Sequence, residues 1–315
     1  MSQVNVESGQ GRSPPPFPLY FFPAFLRPYL ELARVEKPNG FVLMLWPYVW
    51  GLTMAAYKTK MPLNGYWRSV INCVISAFIL RASACTVNDI FDRRVDAAVA
   101  RTKQRPIPSG RISVFAACLY LVALYSVGIA FNAATHRGLA LWVAIFQLLP
   151  LFAIYPLMKR LIQWPSAWLG FAMNFGFLTA WIAITGYVDR ALLTTGMASW
   201  WCWAVYCDTI YACQDIEDDV KTGVKSSAIF FGSWVRFNLW VIAAAFVILL
   251  AVAGVLNNQG WPFFALSVGG TTTHIVWQLS TVDLESPKSC WRAFNRNGYL
   301  GWPLWAGLML DYVLA

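Results

Sequence analysis

The 315-residue sequence is short of charge. Asp, Glu, Lys and Arg make up 12% of it, about half the share found in an average soluble domain. A soluble globule of this length needs far more charged surface, so soluble hydrolases, secreted scaffolds and nucleic-acid modules are poor fits. The formal charge of +9 is therefore read first as a topology signal. Histidine is nearly absent: His136 and His274 stand far apart, and neither neighbours a Cys or a carboxylate at ligand spacing, which excludes a zinc site. The seven cysteines are scattered through apolar runs without a CxxC pair, so disulfide or thiolate-metal use is not expected. The beginning also lacks the pattern of a targeting helix. Met1 to Pro18 holds Glu7 and Pro14-Pro15-Pro16, with Arg12 as its only positive charge, and it carries no apolar run. It reads as a disordered cytosolic tail over 1–28 ahead of a single membrane domain over 29–315, and mitochondrial import is not favoured.

What the sequence has in excess is apolar length, with 58% hydrophobic residues. Stretches able to span a bilayer fall near 41–57, 70–87, 112–131, 139–155, 166–188, 191–207, 238–256, 261–280 and 298–315. The expectation is an all-α polytopic membrane protein with about nine transmembrane helices in one bundle, eight or ten remaining open because Asp189-Arg190 reads either as a break or as a kink. Nine spans place the N-terminus and the loops 88–111, 156–165, 208–237 and 281–297 on one side. Most of the 24 Lys and Arg lie there, which makes that side cytosolic.

Those same loops hold unusual acids. In NDIFDRRVD at 88–96, Asn88, Asp92 and Asp96 recur every four residues with Asp89 beside Asn88, which on a helix reads as one polar face. In DTIYACQDIEDDVKTG at 208–223, Asp208, Asp215 and Asp219 repeat the arrangement after another apolar span. Like charges four residues apart repel unless a cation sits between them. Carboxylates with an Asn amide, and no His or Cys, are hard oxygen donors suited to Mg2+, which binds through one or two carboxylates and the phosphates of a substrate. Solvated helix ends paired with Arg93, Arg94 and Lys221 are the plainer alternative, and the duplication argues against it. Lys103 and Arg105 in the Pro- and Gly-rich loop 100–113, Arg160 in YPLMKR and Lys225 are candidates to grip a diphosphate. Arg93 and Arg94 fit a sidedness signal. Arg34 and Lys37, ahead of the first span, are open between a sidedness signal and a place at the acceptor or cavity. Tyr155, Asn174 and Asp208 are the polar candidates for the cavity.

Taken together, RVEKPNGFVLMLWP at 34–47, NDIFDRRVD, RTKQRPIPSGRIS at 101–113, YPLMKR at 155–160 and the second Asp cluster with its flanks resemble the UbiA superfamily of intramembrane prenyltransferases over nearly the whole chain. The aromatic, 4-hydroxybenzoate polyprenyltransferase-like branch is the most similar, with fungal meroterpenoid farnesyltransferases as the nearest subgroup. Two positions depart from that pattern: Ser166 stands where a Gln often follows Trp-Pro, and Asn39 stands where an aliphatic residue often follows Lys-Pro.

The resemblance implies Mg2+-dependent transfer of a prenyl group, farnesyl in the first instance, from an allylic diphosphate to a phenolic acid or polyketide. Asp92, Asp215 and Asp219 would be catalytic. The metal would be held by Asn88 and Asp92, with Asp89 or Asp96, on one side and by Asp215 with Asp219 on the other. Partners would be the prenyl diphosphate, the aromatic acceptor and the lipid bilayer, with no nucleic acid, and the location the endoplasmic reticulum with the active site facing the cytosol. Ubiquinone-pathway 4-hydroxybenzoate polyprenyl transfer and, from another class, an ion-coupled transporter stand as alternatives.

Overall fold

Within hydrocarbon, a chain must satisfy its backbone N–H and C=O groups internally, which an apolar run of about 20 residues does by becoming a helix. The computed structural model describes residues 15–99 and 102–315 apart from the Lys159 side chain, and among these residues it has helices and no strand. Arg101 of the first basic loop lies outside the described residues.

A short helix α1 (Arg27–Leu32) precedes α2 (Asn39–Thr59), α3 (Leu63–Ala98) and α4 (Val114–Thr135). Next come α5 (Gly138–Phe146) and α6 (Phe152–Leu161), which form one rod interrupted by a π-helical turn containing Pro150. Helices α7 (Pro165–Thr185), α8 (Arg190–Ala212), α9 (Ile216–Thr222), α10 (Ser227–Phe231) and α11 (Val235–Leu256) follow. The chain ends with α12 (Gly269–Thr281) and α13 (Pro287–Leu314). Among the described residues, six segments are long and apolar enough to cross a membrane: Asn39–Thr59, Leu63–Ala98, Val114–Thr135, Gly138–Met158, Pro165–Thr185 and Ser227–Leu256. The remaining expected spans fall on α8, on α12 with its leading turn, and on α13. These are outside the six and bury polar side chains such as Gln278, Asn297 and Asp311.

Two boundaries differ from the apolar windows for one reason. Hydropathy sees the part of a helix inside the lipid, whereas α3 runs on past 87 to Ala98 and α13 starts at Pro287. The Asp189-Arg190 ambiguity resolves as a break. Gly186 ends α7 in the left-handed region at φ 75°, and the Asp189 carboxylate caps α8 by accepting from the Leu192 N–H at 3.1 Å. The described part of the tail expected over 1–28 is ordered. Residues 1–14 lie outside the description, but Leu19–Phe21 forms a helical turn, Leu19 is fully buried and α1 starts at Arg27, because this stretch has apolar side chains to bury.

The bundle is centred on α2, which packs along α7 and against α13, while α8 packs between α7 and α11. Small residues let these axes approach. A Cβ on Gly51 would run into the Phe177 backbone, and one on Gly176 into the Tyr48 ring. Two polar side chains at this depth pair across helices: the Tyr48 hydroxyl donates to Gln147 Oε1 at 2.8 Å, and Gln147 Nε2 donates to the Ala172 carbonyl at 2.9 Å. Helix α4 lies outermost, with only 11% of its span buried.

Candidate active site

Helix α3 carries two different polar faces. Residues seven apart on an α-helix return to within about 20° of one another, and those four apart to within about 40°. Asp89 and Asp96 therefore point nearly the same way, Arg81 and Asn88 share another direction, and Asp92 lies between the two. The structure uses the first face for anchoring. Asp89 is fully buried; it accepts from Arg34 Nη2 on both oxygens, at 2.6 and 2.8 Å, and from Arg105 Nη1 at 3.1 Å. Arg105 Nη1 also reaches Asp96 Oδ2 at 2.7 Å. Arg34 takes up a left-handed backbone, φ 58°, just past the end of α1, which turns its side chain inward. Burial pulls the Arg34 pKa down, but Asp89 more than offsets this, so it is raised above its ordinary value. These contacts correct the single face expected for Asn88, Asp92 and Asp96. Asp89 and Asp96 are counter-ions for arginines, and Arg34 and Arg105, expected at the acceptor and at the diphosphate, are the guanidinium groups that pin loop 102–113 and the α1 turn to α3.

The second cluster is not one helical face either. Helix α8 stops at Ala212, and a turn leads into α9, where Asp215 stands at the N-cap and the Asp219 N–H donates to the Asp215 carbonyl at 2.8 Å. Asp208 stays on α8, where it accepts from the buried Ser166 hydroxyl at 2.6 Å. Ser166, a departure from the family pattern, thus orients a cavity carboxylate from the first turn of α7. Tyr155 of α6 shares one cavity wall with Asn88 of the first cluster and with Asp208 and Tyr211 of the second.

Of the expected diphosphate ligands, Arg160 lies beside the first cluster, 3.4 Å from Asp92 Oδ1 and donating to the Phe91 carbonyl at 3.0 Å. Lys225 donates to the Leu161 carbonyl at 3.3 Å, and Lys103 is exposed on its loop. Arg93 donates at 2.6 Å to Ile90 of its own helix, as a sidedness residue would.

A cavity of about 670 Å³ opens beside these groups. Asn88, Tyr155, Asp208 and Lys37 line it, and Trp203 and Trp302 supply aromatic wall. Asn174 does not reach it. That side chain is fully buried and donates to the Gly170 carbonyl at 2.5 Å, one turn back on α7, because an amide inside a helix pairs most readily with its own backbone. Arg81 and Glu36 do line the cavity, although the sequence reading did not select them. Burial raises the Glu36 carboxyl above its ordinary value, and its Oε2 is shut away without a hydrogen bond. The signal for Arg81 was present in the sequence: an ionisable residue inside an apolar span is costly and marks function.

The residues described fit a divalent metal through donor chemistry rather than a closed cage. Among the described residues, no three Asp, Glu, His or Cys side chains converge at metal-binding range. The oxygen donors Asn88, Asp92, Asp215 and Asp219 would act one or two at a time, as Mg2+ accepts when phosphate oxygens and water complete its shell.

Three comparisons bear on this site. The UbiA prenyltransferase family model matches residues 44–301. The UbiA prenyltransferase claS of Ampulloclitocybe clavipes is 41% identical over 293 residues, 92% of each chain, and the mitochondrial 4-hydroxybenzoate polyprenyltransferase of Arabidopsis thaliana is 36% identical over 92% of this chain and 70% of its own. A UbiA homolog from Archaeoglobus fulgidus, solved bound to GPP and Mg2+, shares the fold with a TM-score of 0.65 at 21% identity, covering 90% of this chain and 99% of that one.

Proposed function

This chain belongs to the UbiA prenyltransferase family, and from that premise we propose that it transfers a prenyl group, farnesyl in the first instance, from an allylic diphosphate to the ring of a phenolic acid or polyketide. The observation that carries the reading is that Asn88 of α3, Tyr155 of α6 and Asp208 of α8 line one aromatic-walled cavity. The transporter alternative gives way, because the relatives are transferases.

Asn88 and Asp92 on one side, and Asp215 with Asp219 on the other, would hold Mg2+, which when bound neutralises charge on the departing diphosphate. Arg160 adds positive charge beside Asp92, and Lys103 and Lys225 are the further cations proposed to contact the diphosphate. The C–O bond of the allylic diphosphate then ionises. Trp203 and Trp302 face the resulting cation with their ring electrons and keep water, the competing nucleophile, away. The electron-rich ring of the acceptor attacks, and transfer of its proton to the released diphosphate or to a cavity carboxylate restores aromaticity. Ser166 holds Asp208 toward the cavity while this happens.

The test is turnover in membranes supplied with Mg2+, a panel of prenyl diphosphates and a panel of phenols, with the product identified by mass spectrometry. EDTA, Asp92→Ala, Asp215→Ala and Asp219→Ala are each expected to remove most of the activity while the protein still inserts and melts normally. Full activity in EDTA, or in all three variants, overturns the mechanism. The same product analysis separates farnesylation of a phenolic polyketide from long-chain prenylation of 4-hydroxybenzoate, the activity named for the Arabidopsis relative.

A further inference from the structure

The first turns of α13 carry Lys288, Arg292 and Arg296 at intervals of four residues, which makes one stripe about 80° wide along the helix. All three side chains are exposed, and among the described residues none of them is in an ion pair. Four other arginines at this end of the bundle do find carboxylates: Arg34 and Arg105 on Asp89, Arg111 on Glu31 and Arg160 beside Asp92. Of the stripe, Arg292 donates only to the Lys288 carbonyl of its own helix, at 3.4 Å, and Arg296 holds its guanidinium 4.7 Å from the centre of the Trp277 ring on α12. The nearest acids in sequence, Asp283 and Glu285, lie in the turn before α13, where the Asp283 carboxylate accepts from the Glu285 N–H at 3.0 Å. Like charges four residues apart repel, and the positive end of the helix dipole adds to the cost at Lys288. An anion on the outer face relieves both.

Depth says what kind of anion that is. The stripe covers about 12 Å of helix and ends just before the apolar window of α13 opens at 298, so it occupies the layer in which a bilayer passes from headgroups to acyl chains. Exposed rings stand around it, Trp277, Trp291 and Tyr299, as in an interfacial aromatic belt. Trp277 touches both Arg296 and His274, whose ring meets it edge-on at 5.7 Å and whose Nε2 is shut in without a hydrogen bond. The stripe is also separate from the candidate active site. Trp291, Phe294 and Trp302 line the cavity from the neighbouring face of α13, whereas Lys288, Arg292 and Arg296 do not.

We infer that the outer faces of α12 and α13 hold an anionic phospholipid, its headgroup phosphate received by Arg292 and Arg296 and its acyl chains lying along Trp277. Charge complementarity selects the occupant. A guanidinium fork matches a phosphate, and basic side chains at the membrane surface favour anionic over neutral lipid. A free phosphate would satisfy the arginines but leave the exposed rings below them uncovered. The lipid would tie the start of α13 to α12, and the same turns of α13 present Trp291 and Phe294 to the cavity. The inference concerns a lipid on the outside of the bundle and does not depend on the reaction inside it.

The experiment titrates phosphatidylserine or phosphatidylcholine into the full-length protein purified in detergent, following the melting temperature and, by native mass spectrometry, the lipid that stays bound. Phosphatidylserine is expected to stay bound and to raise the melting temperature more than phosphatidylcholine does. Arg292→Gln with Arg296→Gln should weaken retention of phosphatidylserine about twentyfold, at roughly fivefold for each cation removed near a lipid surface, and bring its effect down to that of phosphatidylcholine. Replacing both by Lys should keep part of the preference. Lys58→Gln with Arg68→Gln, which removes the same charge from exposed positions at the other end of the bundle, should keep all of it. Melting in phosphatidylcholine establishes that each variant folds. Equal effects of the two lipids on the wild type would overturn the assignment, as would equal loss in the Lys58 and Arg68 variant. Protection by inorganic phosphate as strong as that by phosphatidylserine would reduce the stripe to a general anion site. Weaker binding of geranyl diphosphate with Mg2+ in the Arg292 and Arg296 variant, with its phosphatidylserine preference intact, would make the stripe a guide for substrate and overturn the lipid site.

Discussion

Asp89 and Asp92 sit three residues apart in one motif and do opposite work. Asp89 is sealed between two guanidinium groups, and Asp92 is half-buried beside Arg160. Removing one partner of a buried ion pair strands the other charge, which costs about 3–5 kcal/mol. Asp89→Ala is accordingly expected to lower the melting temperature sharply in detergent, and Asp92→Ala to leave it near wild type while activity disappears. Similar melting of the two variants would show that Asp89 is no anchor. The sequence showed all four side chains of the motif and the chemistry they share. It did not show which of them face the cavity, because that depends on where Arg34 and Arg105, 55 and 16 residues away from Asp89, return to α3.

At the level of elements, apolar windows locate the rods and miss their extensions. The last 11 residues of α3 leave the apolar stretch but carry the first motif, and the first turns of α13 bring Trp291 and Phe294 to the cavity. Contacts between rods depend on glycines whose importance is invisible until the neighbour is known. Gly301 on α13 is one: a Cβ there would overlap the Trp46 indole of α2, whose Nε1 donates to the Gly298 carbonyl at 2.9 Å and whose ring stands edge-on to Trp302 at 5.2 Å. Overpacking of this kind costs about 1–3 kcal/mol. Gly301→Ala is expected to lower the melting temperature correspondingly, and because Trp302 lines the cavity, to weaken acceptor binding as well. An unchanged melting temperature would mean that α13 slides freely against α2.

Across the whole molecule, the carboxylate clusters, the loop bearing Lys103 and the start of α2 belong to one end. The opposite end is closed by the Tyr57 hydroxyl on the Asn258 carbonyl, the Gly260 N–H on Asp311 and the Tyr312 hydroxyl on the Met61 carbonyl. The basic loops lie at the end that carries the Asp motifs, so the positive-inside rule predicts that this end faces the cytosol and the C-terminus the opposite side. In a Cys118→Ser background, which removes an exposed thiol, a cysteine introduced at Lys103 should react with an impermeant maleimide from the cytosolic side, and labelling from the lumenal side would invert the topology. Low charge and apolar runs were enough, by themselves, to determine an all-helical membrane bundle, and two Asp motifs to propose hard oxygen donors for a diphosphate, since lipid solvation and metal preference act on residue types and spacing. The tertiary structure alone decided that Asp89 and Asp96 belong to arginines, that α8 breaks before Asp215, that Ser166 holds Asp208, and that Arg296 stands over the Trp277 ring rather than on a carboxylate. Each of these depends on a partner distant in sequence, and a charge acquires its role only from what the fold brings within a few ångströms of it.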